Sequence, residues 1–273
     1  MPLALAAATG CMPAAWGAAA ILHPSRRAVT VGVPSGAVDV QFTSGDVVLR
    51  GWRFPPVAPR RGAAIVLHGS ADNRMSGVSA SRHFSRLGFE ALTYDSRAHG
   101  ASGGEACTYG YFEKLDLARA IDTLGRGPVI VIGTSLGGAV ALQAAADDAR
   151  ISGVVAASTF ADLRSVIAER TPWYATRGDA RRAIAEAERE AHFVADAVSP
   201  VAAAKRIHVP VLLVHGALDG ETSPENSRRI FAALAGPRRL LLAPGRGHND
   251  ALTPDVWKVI DEWVNGIVTV RSR

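Results

Sequence analysis

The sequence predicts an α/β domain, a mostly parallel central sheet with helices on both faces. Three observations lead there. Apolar runs of strand length alternate with helical stripes at the spacing that βαβ units require. Several of those runs are continuously apolar, as expected of strands buried on both faces. One of them passes through Gly133-Thr134-Ser135-Leu136-Gly137 straight into a small-residue helix.

The elements follow in order. Residues 37–42 and 46–54 read as two strands around the turn Thr43-Ser44-Gly45, a hairpin. Residues 63–67 (Ala-Ala-Ile-Val-Leu) are a buried strand, 74–87 a helix and 89–94 the next strand. Residues 113–124 carry apolar side chains at 115, 117, 118, 121 and 124, a helical stripe. Strands are then expected at 128–133, 151–157, 209–214 and 238–243, with helices at 136–146, 224–234 and 255–264. Between 157 and 209 the rhythm breaks, and only 178–191, charged and rich in Ala, reads as a helix. This stretch is expected to be a small lid-like insertion over about residues 160–207, the alternative being one long crossover helix with loops.

Composition bounds the function. With 273 residues, 48% hydrophobic and 20% charged, the chain can bury a self-sufficient core and is not a disordered sequence. Its two Cys, at 11 and 107, exclude a disulfide scaffold and a four-Cys zinc site. The net charge is +5, but the densest Arg pairs, such as Arg60-Arg61 and Arg228-Arg229, are scattered over separate segments. Nucleic-acid binding, which concentrates cations on one face or arm, is therefore not expected.

Residues 1–22 stand apart. They carry no charge and end at His23-Pro24, with Arg26 and Arg27 following. A run of about 20 uncharged residues is long enough to span a bilayer. Three readings compete: a secretory leader, within which Ala8-Thr9-Gly10-Cys11 loosely resembles a bacterial lipobox; an uncleaved anchor; or an apolar helix packed on the domain. The first two make residues 1–24 a leader or anchor ahead of a domain at 25–273, with membrane contact through residues 1–22 and a membrane-associated or exported protein.

The chemistry concentrates at Ser135. A Gly-x-Ser-x-Gly pattern between a strand and a helix is the context of a nucleophile elbow, in which a strained turn lifts the hydroxyl above the sheet. The flanking glycines remove side chains where strand, turn and helix crowd together. A hydroxyl is a weak nucleophile and needs a base and an orienting acid, here expected after it in the order acid, then His. His248, in Gly245-Arg246-Gly247-His248-Asn249-Asp250 past the last strand, fits the base. Asp219, directly after the strand that ends in Val214-His215-Gly216, fits the acid; Glu221 competes and Asp250 is poorly placed. His68, His215 and His99 are expected to bond within their own loops. An oxyanion hole needs two backbone donors: Leu136 N–H, and one from the loop after residue 67, with Ser70 preferred and Ala71 the alternative. Tyr109, Phe160, Trp173 and Tyr174 are candidates to line an acyl pocket, ordinary packing being the alternative for each. No cluster with metal-ligand spacing is present, and neither metal nor cofactor is expected.

These residues resemble the α/β-hydrolase superfamily over residues 37–273. The blocks His68-Gly69, Tyr94 through Gly104, Gly133 through Gly138, His215 through Asp219 and Gly247-His248 stand in the superfamily's order. Tyr109-Gly110-Tyr111-Phe112-Glu113 through Asp116 is similar to the serine-aminopeptidase-like and dienelactone-hydrolase-like branches. The chain departs from the pattern at Ala98, where members often carry Gly, and in having Ser where dienelactone hydrolases use Cys. The resemblance implies the α/β-hydrolase fold and a serine hydrolase acting on a small-molecule carboxylic ester of short to medium acyl chain. Aminopeptidase and thioesterase activity are the alternatives within the fold, and a non-catalytic binding protein the alternative outside enzymes.

Overall fold

The computed structural model describes residues 14–271. Its strands are β1 (Val38–Ser44), β2 (Val47–Phe54), β3 (Gly62–Leu67), β4 (Phe89–Tyr94), β5 (Val129–Thr134), β6 (Ile151–Ala157), β7 (Val211–Gly216) and β8 (Arg238–Ala243). Its helices are α1 (Ala14–Leu22), α2 (Val78–Arg86), α3 (Glu113–Asp122), α4 (Leu136–Ala145), α5 (Leu163–Arg170), α6 (Arg177–Ala191), α7 (Pro200–Ala204), α8 (Glu225–Ala233) and α9 (Pro254–Arg271).

The strands form one sheet in the order β1-β2-β4-β3-β5-β6-β7-β8. The β1–β2 and β2–β4 pairings are antiparallel, and every pairing from β4–β3 to β7–β8 is parallel. β3, β6 and β7 are buried along their whole length because helices cover both faces. On one face Ile65, Val131 and Leu213 pack with Leu117, Val140 and Ile230 of α3, α4 and α8. On the other, Ala64, Ile132 and Leu212 pack with Phe84 of α2 and with Ile260 and Val264 of α9. Successive residues of one strand thus feed two different cores.

The segment between β6 and β7 holds α5, α6, a 3₁₀ turn at Ala195–Ala197 and α7. Sequence reasoning found α6 alone. Asp162 starts α5 by accepting the Ser165 N–H at 2.8 Å, and Ser199 with Pro200 starts α7. The end of this segment belongs to the main body, since Ala204 packs beside Ile230 in the core under α8.

α1 lies against α6. Its Ala18, Ile21 and Leu22 are buried with Ala183, Ile184 and Ala187. The chain is also held to the loop before α3: Cys107 N–H donates to Leu22 O at 2.8 Å, and Tyr109 O–H to Ile21 O at 3.0 Å. The His23 ring nitrogens lie 2.9 Å from Glu105 O and 3.0 Å from the Glu190 carboxylate. Residues 1–13, including the motif around Cys11, lie outside the described residues. Among the described residues no helix is long and apolar enough to cross a membrane.

Candidate active site

β5 and α4 meet at Ser135, whose backbone takes φ 51° and ψ −112°. A Cβ on Gly133 would lie 2.2 Å from the Gly137 carbonyl, and one on Gly137 would lie 2.5 Å from Leu67 O. The turn closes only with glycine on both sides of it. Ser135 N–H donates to Ala157 O at 2.8 Å, and Thr159 Oγ1–H donates to Ser135 O at 2.9 Å, so both sides of the residue are tied to the end of β6. Leu136 opens α4, whose N-terminal N–H groups carry the positive end of the helix dipole.

Asp219 stands just past β7, and its two oxygens are used differently. Oδ1 accepts the Glu221 and Thr222 N–H groups, each at 2.9 Å. Oδ2 accepts His248 Nδ1–H at 2.7 Å and lies 3.1 Å from His215 Nε2. Burial alone would push this carboxyl up. The Thr222 N–H, the His248 ring and the Glu221 N–H outweigh burial and hold it below the usual carboxylate range. His215 Nε2–H donates to Thr222 O at 2.9 Å and Nδ1 accepts from Ser227 Oγ–H at 2.6 Å, which fixes a neutral ring; burial lowers its pKa. His215 thus braces the acidic loop, bonding within the stretch that follows its own strand.

Glu221, the competing acid, supplies a backbone N–H to Asp219. Asp250 accepts the Gly247 N–H at 2.6 Å and shapes the turn that carries His248. That turn passes directly over the end of β7: a Cβ on Gly216 would lie 2.1 Å from Gly247 O. With Nδ1 engaged by Asp219, His248 has Nε2 left for the serine side.

The loop after β3 comes close to the elbow. Gly69 is the contact point, a Cβ built on it falling 3.6 Å from Ser135 Cβ. His68 holds this loop from beneath: Nδ1–H donates to Gly69 O at 2.7 Å and Nε2 accepts the Ser96 N–H at 3.0 Å. Burial, reinforced by nearby His99, drives the His68 pKa down to about 4, so the ring is neutral at pH 7. Asp95, on the adjoining loop, accepts Arg74 N–H at 2.7 Å and Ala101 N–H at 2.8 Å.

Ser135, His248, Gly69, Ser70 and Ala71 all line one cleft of about 760 Å³. The four expected pocket aromatics do not line it. Phe160 is buried, in T-shaped contact with Tyr109 at 6.1 Å, and both pack where α1 meets the body. Trp173 and Tyr174 are 95% and 59% exposed and meet edge to face in the loop before α6. The segment expected to act as a lid packs beside the cleft and contributes Arg170 to its lining. Instead the cleft is walled by α2 and by the approach to α9, through Ala80, His83, Arg86, Leu252 and Trp257. Sequence reasoning missed these because they sit on ordinary amphipathic helices with no motif to single them out.

A family model described as the alpha/beta hydrolase fold matches residues 65–193. The esterase Pf2001 of Pyrococcus furiosus superposes with a TM-score of 0.72 at 23% identity, over 90% of this chain and 99% of that one. The chain has the α/β-hydrolase fold. It is 27% identical over 223 residues to the uncharacterized protein Rv2307c of Mycobacterium tuberculosis, covering 80% of this chain and 74% of that protein. It is 29% identical over 201 residues to the uncharacterized protein YqkD of Bacillus subtilis, covering 67% of this chain and 64% of that one.

Proposed function

We propose that this α/β-hydrolase is a serine hydrolase that cleaves carboxylic esters of short to medium acyl chain through an acyl-enzyme on Ser135. The observation that carries the reading is the Asp219 Oδ2–His248 Nδ1 bond of 2.7 Å, in a cleft shared by His248 and the left-handed Ser135. Asp219 fixes the tautomer of His248 and stabilises the imidazolium that forms when Nε2 takes the serine proton. Ser135 Oγ attacks the acyl carbon, and the N–H groups of Leu136 and Ser70 receive the developing oxyanion. His248 returns the proton to the leaving alcohol, then deprotonates the water that releases the acid. Ala71 lines the cleft beside Ser70 and is the alternative donor.

The test is labelling by a fluorophosphonate, followed by turnover of p-nitrophenyl esters from acetate to palmitate. One mole of label per mole of protein is expected, lost in Ser135→Ala, with the fastest turnover at short to medium chains. Asp219→Asn should lower kcat by about 10⁴-fold, whereas Glu221→Gln should leave it within a few-fold. Labelling without ester turnover would move the reaction to amides or thioesters. Full turnover in Ser135→Ala would overturn the assignment.

A further inference from the structure

We infer that the groove running from Ser135 between α2 and the approach to α9 takes an acyl chain ending in a carboxylate, with Arg86 as the group that recognises the far end. The inference rests on the reading of Ser135 as the nucleophile.

The groove has a direction. α2 presents Ala80, His83 and Arg86 to the cleft, spaced three apart and so on one face. Leu252 and Trp257 stand opposite, with Val66 and Ile132 of the sheet beneath. The two walls advance together. His248 and Asn249 line the cleft near its reactive end, the His83 ring is 5.5 Å from Trp257, and His83 Nε2 is 2.7 Å from Asp261, one turn further along α9. From Gly77 to Arg86 the helix advances by nine residues, about 14 Å at about 1.5 Å per residue. The cleft therefore extends well beyond a short acyl group, over a floor that favours methylenes.

The charges lining the cleft differ in how they are used. Arg27 lies 3.6 Å from the Asp72 carboxylate. Arg170 donates to Thr222 Oγ1 at 2.9 Å, next to Glu221, which also lines the mouth. Asp261, the acid that α9 turns toward α2, is engaged by His83. Arg86 forms no ion pair with any described carboxylate. Its place in the last turn of α2 suits a cation at a helix C-terminus, but that alone predicts no effect on substrate choice. A trough floored by Val66 and Ile132, with Ser76, Ser79 and His83 along its α2 wall, that starts at a nucleophile and ends at an uncompensated guanidinium fits an ω-carboxyacyl group, since guanidinium and carboxylate match in geometry as well as charge.

The test compares p-nitrophenyl hemiesters of succinic, adipic, suberic and sebacic acids with their methyl-capped diesters. The wild-type protein is expected to favour the longer hemiesters about fivefold in kcat/KM, through KM, the size of a partly exposed ion pair. The preference should fade in 0.5 M salt, be absent for succinate, and vanish in Arg86→Gln with turnover of p-nitrophenyl butyrate unchanged. Equal rates for hemiester and diester, or a preference that survives Arg86→Gln, would overturn the inference. Calorimetric titration of suberate and its diamide into Ser135→Ala separates it from the functional reading. Arg86-dependent binding of suberate in a protein that turns over no ester would sink the nucleophile assignment and keep this site. Failure of suberate to outbind the diamide would remove the site and leave that assignment standing.

Discussion

Ser135 and Ala98 both hold left-handed backbone, at φ 51° and 59°, in positions where a side chain makes that conformation costly. At Ser135 the strain lies in the turn that lifts the hydroxyl, so relieving it means losing the chemistry. At Ala98 no such constraint applies: the residue sits in a buried turn before His99, and its N–H donates to Gly103 O at 2.9 Å. Removing its Cβ relieves about 1–2 kcal/mol of backbone strain, less the roughly 0.4–1 kcal/mol by which glycine loosens the unfolded chain. Ala98→Gly is expected to raise Tm by about 2 °C, measurable by differential scanning calorimetry, with ester turnover unchanged. A lower Tm would mean that the Cβ packs better than the strain costs. The same contrast explains what was legible residue by residue. Ser135, Asp219 and His248 each sit in a local pattern of glycines at a strand end, which the sequence displays. Phe160 and Tyr109 are candidates for the pocket with ordinary packing as the alternative, and only their long-range packing against α1 tells the two apart. Arg86 was invisible for the converse reason, since a cation in the last turn of a helix needs no special explanation.

At the scale of elements, the sheet was readable because its runs are apolar over their full length, and β4, β6 and β8 begin and end where the sequence places them. The last helix is expected over 255–264, yet Asn265 and Gly266 lie within it. The helix nevertheless runs to Arg271, carried by Ile267 and Val268 packing into the core above β6. Burial there outweighs the propensity cost of one glycine, about 1 kcal/mol. α1 is the more consequential element. Its composition fitted a leader, an anchor or a packed helix, because an Ala-rich uncharged stretch suits all three. In the folded chain Leu22 is fully buried and its carbonyl accepts the Cys107 N–H. Leu22→Ala should therefore cost about 2–4 kcal/mol in urea unfolding of the full chain. An unchanged midpoint would show that α1 adds nothing to the stability of the body. Trp16, 72% exposed on the outer side of the same helix, is the control: Trp16→Ala should shift the midpoint far less.

Taken as a whole, the molecule keeps several titratable groups in its interior, and their signs set its acid behaviour. His68, His99 and His215 have pKa values lowered first of all by burial, His68 to about 4. Each binds a proton less readily folded than unfolded, so each contributes stability that is complete above the unfolded pKa of about 6.5 and is lost as pH falls toward the folded value. Asp95 and Asp116 work in the opposite sense. Burial raises both carboxyls, so the folded state takes up their protons first and gains stability as the solution is acidified. The slope for the whole protein is the difference between these two sets, and a single variant isolates one member. His68→Gln gives up the neutral ring that ties Gly69 O to Ser96 N–H, and the loss of these buried hydrogen bonds should destabilise the protein by about 1–3 kcal/mol at pH 7. Near pH 4.5 the wild-type protein has itself lost most of the advantage of a neutral His68. The gap in Tm between the two proteins should therefore narrow steadily from pH 7 to pH 4.5 in calorimetric scans. A gap independent of pH would mean that His68 acts only through its shape.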